Sequence, residues 1–277
     1  MMEIDLDKLD IDNNNKEEIA KLLKKQNPAI SDDLEQMWYL MDLVWDQYGC
    51  NNKKLDWEKV AQFYSDPVWI LNGLFIEHHE LSMRHRNYIS DWIVDNGFRK
   101  VIDYGGGFGT LARLIAEKDR HITVDVFEPH PSEYSLKRIK SYTNINFIDK
   151  IIDVYDCLIS TDVLEHVNDP LEIFYIMIKN VKRGGYLIIA NNFFPVIKCH
   201  LPHTFHFRYT FNMFAKLMGL EVVGLLQGSH ATIFKKINDI KPNWATIRFY
   251  EMLSKLIFPL IEISKRVLKP IKRLLRI

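Results

Sequence analysis

Residues 101–117 read VIDYGGGFGTLARLIAE: an apolar run ending at an acid, four glycines within five positions, then a helical pattern. A short apolar run, a glycine break and an amphipathic stretch predict a strand, a tight turn and a helix N-terminus. Such a unit aims backbone N–H groups and the positive end of a helix dipole at one spot, and glycine lets a ligand come close to the backbone. An ordinary turn does not need four glycines, so the loop is expected to face a ligand.

The same alternation continues outward. Apolar runs of strand length occupy 101–104, 122–127, 145–148, 156–160 and 186–190, with helical stretches at Thr110 to Lys118, Ser132 to Lys140 and Pro170 to Val181. Strands alternating with helices predict an α/β fold, a parallel sheet covered on both faces. The last two runs, 220–226 and 231–235, are separated only by Gln-Gly-Ser-His, which predicts a hairpin and an antiparallel edge. This unit is assigned to residues 85–236.

Two further units flank it. Residues 1–84 are read as a helical N-terminal cap: a short helix near Lys16 to Lys25 ends at Asn27-Pro28, and Met37, Trp38, Leu40, Met41, Val44 and Trp45 recur at helical spacing. Further helices are expected over 57–63 and 67–80, with the aromatics packing the cap's own core. Residues 237–277 are read as a basic amphipathic helical extension cut into pieces by Pro242, Pro259 and Pro270.

Composition sets the class. Of 277 residues, 47% are hydrophobic and 26% charged, as in a globular protein. Lys plus Arg and Asp plus Glu each total 36, so no basic excess points to nucleic acid. The ends differ: residues 1–60 hold 14 acids and 8 bases, while 237–277 hold 9 bases and 3 acids. Cys50, Cys157 and Cys199 are too few and scattered for a disulfide framework. The acidic start lacks the features of a signal peptide, and no run suits a membrane span. A cytoplasmic, reduced setting is the expectation.

The acids narrow the ligand. Gly107 to Ala112 fit the GxGxxA form of the dinucleotide fingerprint, with Glu128 at a strand end 19 residues after Gly109. Asp103, two residues before the first glycine, suits a cationic ligand and would sit poorly beside a pyrophosphate. Asp103, Glu128 and Asp149 end successive strands, a rim for a ligand with an ammonium, a ribose diol and an adenine amine.

In DYGGGFG (103–109), FEP (127–129) and YDCLISTDVLEHVNDP (155–170) the sequence resembles the class I S-adenosylmethionine-dependent methyltransferases, over about residues 86–236. The last segment is similar to the small-molecule branch that includes the ubiquinone-biosynthesis O-methyltransferases. The resemblance implies a Rossmann-like, seven-stranded, mostly parallel sheet and S-adenosylmethionine as cofactor. It implies that Asp103 lies near the methionine ammonium, that Gly105, Gly107 and Gly109 pass under the cofactor, and that Glu128 takes the ribose hydroxyls. Asp149 would take the adenine amine, and Thr161 and Asp162 would border the sulfonium.

A hydroxyl acceptor needs a base, and histidine is the usual one. His166 follows the fourth strand, close to where the methyl group should point. His200, His203 and His206 form HLPHTFH after the fifth strand, a region that in this family often walls the acceptor pocket. His78, His79 and His85 are secondary candidates in the cap. No metal is expected: Pro202 opposes a continuous helix through the three histidines, and Asp162, Glu165 and His166 only partly match the loop that holds a divalent ion in some relatives. Glu165 is read as fixing the loop by hydrogen bonds.

The expected activity is O-methylation of a small molecule, such as a sugar of a surface glycan or a lipid-linked precursor. An NAD-dependent oxidoreductase on the same loop and a catalytically idle cofactor-binding module stay open as alternatives. For the tail, contact with a membrane surface through 245–277, packing on the chain itself and a homodimer contact are the readings; nucleic acid is not expected.

Overall fold

The computed structural model describes residues 4–274, with side chains up to Lys265. Five helices come first: α1 (Asn13–Leu23), α2 (Asp33–Gln47), α3 (Trp57–Tyr64), α4 (Val68–His78) and α5 (Glu80–Asp95). Three of these helices start at aspartates whose carboxylates accept from the first turn: Asp12 from Asn15, Asp32 from Glu35 and Asp56 from Glu58. Met37, Leu40, Met41, Val44 and Trp45 on α2 are buried with Phe63, Leu71 and Leu74, so the cap has its own core.

Then β1 (Lys100–Tyr104), α6 (Thr110–Lys118), β2 (Thr123–Phe127), α7 (Glu133–Arg138), β3 (Ile145–Ile148), β4 (Tyr155–Thr161), α8 (Pro170–Lys179) and β5 (Val181–Ala190) alternate. α9 (Phe207–Leu217), β6 (Leu220–Leu225) and β7 (Thr232–Lys236) complete a seven-stranded sheet of order β3-β2-β1-β4-β5-β7-β6. Strands β1 to β5 pair in parallel, and β7 runs antiparallel to both β5 and β6. The Rossmann-like sheet and its closing hairpin are therefore present.

Two apolar clusters cover the sheet. Leu158, Phe174, Leu187, Phe211, Phe214 and Phe234 fill one face, and Val101, Leu111, Ile115, Val124, Ile159 and Ile188 the other. Ile89 and Ile93 of α5 belong to the second cluster, so the boundary drawn at 84/85 falls inside a helix whose later turns pack on the sheet. Strand order reverses between β1 and β4, which opens a crevice at the carboxyl ends of these strands.

The C-terminal expectation needs correcting. α10 runs unbroken from Trp244 to Leu274, through Pro259 and Pro270. Each proline removes one backbone donor, and the remaining backbone bonds carry the helix onward. Only Pro242 lies outside it.

Candidate active site

The glycine loop departs from β1 at the crevice. Gly105 has φ +74° and Gly107 φ +53°, left-handed values that side chains with a Cβ seldom adopt. The space differs at the two positions. A Cβ at Gly105 would strike the Val163 side chain, whereas one at Gly107 would meet no heavy atom within 4 Å, so open room lies beside Gly107. Val163 therefore seats the loop after β4 directly on the glycine loop.

Carboxylates surround this loop. Glu128, after β2, accepts from Gly107 N at 2.9 Å and from His130 N at 3.0 Å, which ties the loop to the second strand end. Asp103 is buried, and among the described residues no hydrogen bond reaches its carboxylate. Burial pushes its carboxyl up to about 7, with Arg86 pulling it down and Glu128 pushing it up. Asp149 is exposed just beyond β3. Thr161 ends β4, and Asp162 follows at φ 54°, its N–H donating to Ala190 O at 2.8 Å. An aspartate held in the left-handed region, at the end of a central strand, marks a constrained position.

Arg86 of α5 brings a cation into this acidic rim. Its guanidinium is influenced most by burial, then by the fields of Asp162, Asp103 and Glu77. Asp162 also faces His230 of the β6–β7 turn, whose Nε2 is 3.8 Å away, too long for a hydrogen bond and read as an ion pair. That partner raises the His230 pKa, while burial and His230 lower that of His85, whose Nδ1 is 3.3 Å from the Nδ1 of His230.

A second cluster, of packed rings, lies under the cap. The His166 ring meets Tyr64, Trp69 and His200 edge-on, at centroid distances of 6.2, 6.4 and 4.8 Å. His166 Nδ1–H donates to Cys199 O at 3.1 Å, and His200 Nδ1–H donates to Phe194 O at 2.7 Å. A carbonyl can only accept, so both rings are fixed with Nε2 as the lone-pair nitrogen. Burial, then His200, pushes His166 down to about 3, and burial lowers His200 too.

Glu165 does brace the loops: its Oε1 accepts from Asn192 N, and its carbonyl accepts from Leu201 N. Burial, then Asp162, pushes its carboxyl well up. Glu165 Oε2 and Trp69 Nε1 are buried without a hydrogen-bond partner. Ligand atoms of Glu165, His166 and His200 lie within 4.8 Å of one another, so these three could hold a cation after drawing together. The structure thus joins one histidine of HLPHTFH to the loop after β4, a set that neither sequence segment contains alone.

The cap is fastened over the crevice. Glu77 of α4 accepts from Thr110 Oγ1 at 2.7 Å and pairs with Arg113 and Arg138. Phe108 of the glycine loop packs on α4 at Gly73, where a Cβ would lie 2.6 Å from its ring. Glu77 and Gly73 thus tie α4 to the glycine loop and to the helices that follow it.

The expected residues separate into groups. Asp103, Gly105, Gly107, Gly109, Glu128, Asp149, Thr161 and Asp162 all lie at the carboxyl ends of β1 to β4, and His166 and His200 share the cluster under the cap. His203 and His206 are engaged elsewhere. His203 Nε2–H donates to Asn168 O at 3.0 Å, and His206 is buried with Nδ1 2.7 Å from Ser254 Oγ of α10. His78 and His79 bond within their own turns, to Leu74 O and Ser82 Oγ. Sequence reasoning missed Arg86, His230, Tyr64 and Trp69, which reach the site from α5, the hairpin turn and the cap. Nothing in their local sequence distinguishes them from surface or core residues.

A family model described as a methyltransferase domain matches residues 76–206. The chain is similar to the ubiquinone biosynthesis O-methyltransferase of Pectobacterium carotovorum, 26% identical over 147 residues that cover 49% of this chain and 62% of that protein. It is also similar to the enzyme of that name from Vibrio cholerae, 27% identical over 131 residues covering 44% and 54%. The matches span less than two thirds of either relative. Among solved structures, the chain is similar to an O-methyltransferase family protein from Burkholderia thailandensis, with TM-score 0.47, 15% identity and coverage of 82% of this chain and 69% of that one. Another is the N-methyltransferase NodS from Bradyrhizobium japonicum, with TM-score 0.42, 12% identity and coverage of 58% and 89%.

Proposed function

We infer that this chain, whose residues 76–206 match a methyltransferase domain, is a class I S-adenosylmethionine-dependent enzyme that transfers a methyl group to a hydroxyl oxygen of a small molecule. The observation that carries this reading is the pairing of two sites at one sheet end. One is a glycine loop flanked by a buried carboxyl without a donor; the other is a cluster of rings under the cap with a fixed imidazole lone pair.

The residues fit S-adenosylmethionine. Asp103 offers its unpaired carboxyl to an ammonium, Arg86 beside it offers a guanidinium to a carboxylate, and the room beside Gly107 admits a ligand against the backbone. Glu128 would exchange its bond to Gly107 N for ribose hydroxyls, and Asp149 would meet the adenine amine. The bound cofactor supplies a methyl group on a sulfonium, ready for in-line displacement.

The protein's part is positioning and proton handling. Tyr64 and Trp69 belong to this cluster, and Trp69 Nε1–H is free to donate to an acceptor oxygen. His166 Nε2 accepts the hydroxyl proton as the oxygen bonds to carbon. Burial keeps the imidazole neutral with its Nε2 lone pair free but weakens it as a base, and its Nδ1–H bond to Cys199 O steadies the charge it gains. An acceptor with several hydroxyls on a ring, such as a glycan sugar, or a lipid-linked precursor suits this mix of aromatic wall and unpaired polar atoms.

Calorimetric titration with S-adenosylmethionine, S-adenosylhomocysteine and NAD tests the reading, repeated with Asp103→Ala and Glu128→Ala. Binding of both adenosyl compounds, weakened by both substitutions, supports it; binding of NAD alone overturns it. Methyl transfer to supplied acceptors then separates an enzyme from an idle binding module.

A further inference from the structure

α10 docks on the body through a mixed side: Ile247 is buried in the core beneath the sheet and Phe258 packs on Tyr209, and between them polar groups face inward. Ser254 is buried, its Oγ 2.7 Å from His206 Nδ1 and 2.8 Å from Thr210 Oγ1 of α9. Buried Glu251 pairs with Arg248 and Lys255, both at 2.7 Å, and Arg248 also holds Asp169 at the start of α8. Glu262 accepts from Arg208 at 3.0 Å and from Tyr209 at 2.5 Å.

Its apolar side faces out. Phe249, Met252, Leu256, Leu260 and Ile263 are 53, 49, 64, 65 and 59% exposed, values that leave this side uncovered by the chain itself. Their spacing of 3, 4, 4 and 3 residues puts them on one side of the helix, and Tyr250 and Ile257, also exposed, widen that side by about 100°. Burying polar groups inward while showing large apolar ones outward costs free energy unless something else covers them.

Charge identifies what does. After Glu262 the sequence has six bases (Lys265, Arg266, Lys269, Lys272, Arg273 and Arg276) and no acid, while Val267, Leu268, Ile271 and Leu274 continue the apolar spacing. Beyond Lys265 these side chains lie outside the described ones. Two copies joined along this helix would crowd like charges, and the apolar side is broader than the narrow seam of a helix pair. An anionic lipid surface satisfies both features, accepting apolar side chains below the head groups and bases among them. No described helix is long and apolar enough to cross a membrane, so the contact lies in the interface plane.

We propose that α10 is an interfacial helix that seats this chain on an anionic bilayer. The proposal is independent of the methyl-transfer reading, because α10 contributes no residue to the crevice. It is tested by flotation of the full chain with vesicles of phosphatidylcholine alone and of phosphatidylcholine mixed with phosphatidylglycerol. Light scattering on the vesicle-free protein gives its oligomeric state.

The expected result is flotation only with the anionic vesicles, weakened by salt. Replacing two exposed residues, Leu256→Glu with Leu260→Glu, lowers the bound fraction by about tenfold. Reversing Lys265→Glu with Lys269→Glu does the same through charge. S-adenosylhomocysteine affinity stays unchanged in both variants, which shows them folded. Absence of flotation with anionic vesicles overturns the proposal. So does a dimer that the leucine substitutions dissociate while the wild type leaves vesicles unbound, in which case the face belongs to a second copy.

Discussion

At the scale of single residues, the site depends on groups whose protonation is set by burial. Asp103 has a carboxyl near 7 in the free protein instead of 3.8. Its raised value means that this group favours folding most below about pH 4, and that the benefit is lost as pH rises through 7. An ammonium paired with Asp103 favours the ionised form and lowers the bound-state pKa. S-adenosylmethionine affinity should therefore rise with pH toward 7, with close to one proton released at pH 6, measured by calorimetry in buffers of different ionisation enthalpy. Asp103→Asn should abolish the release. His166→Ala should cut kcat by about 10²–10⁴-fold and leave S-adenosylhomocysteine affinity intact. With its pKa about 3, His166 gives no acidic limb between pH 5 and 8. A limb at or above 6.5 in the kcat profile would move the base to His230, which Asp162 raises above that value. Asp103, the glycines and Glu128 were legible because a strand end and a glycine break fix where they go. Arg86 and His230 were not, since their partners lie far away in sequence.

At the scale of elements, the coupling between cap and glycine loop governs the crevice. Glu77 sits between Thr110, Arg113 and Arg138, with its side chain only 11% exposed. Burial raises its carboxyl, but the hydrogen bonds of Arg138 and Thr110 and the charge of Arg113 outweigh this and leave it below the usual range. A depressed carboxyl stabilises the fold above its unfolded value and loses that contribution as pH falls through the folded one. Glu77→Ala should lower stability by about 3 kcal/mol at neutral pH, because it strands two partly buried guanidinium groups. The difference in denaturant midpoint should shrink below about pH 4. Gly73→Ala tests the same contact from the other side: the Cβ would press on Phe108, and S-adenosylhomocysteine affinity should fall with little change in secondary structure by circular dichroism. The strands, their mostly parallel pairing and the antiparallel hairpin were readable, because β-branched runs in a βα alternation leave few arrangements. The continuity of α10 through two prolines was not, since proline weakens a helix without forbidding it.

At the scale of the whole molecule, two bodies of sequence meet at one crevice, with the cap lying over it and the sheet supplying its floor, while α10 packs away from it along α9. Because Phe108 links cap and loop, S-adenosylhomocysteine should slow amide exchange in α4 as well as in the glycine loop; protection confined to the loop would mean that the cap moves independently. The sequence by itself determined the α/β alternation, the glycine loop after the first strand, the acids at the strand ends and the amphipathic, basic C-terminus. Those are local properties, set by periodicity, glycine and the position of charge along a strand. Only the tertiary structure decided that His166 and His200 share a cluster of rings while His203 and His206 bond elsewhere, that Arg86 enters the acidic rim, and that α10 turns its apolar side outward. Each of these depends on which side chain of an element meets another element, a choice made by packing between segments distant in the chain.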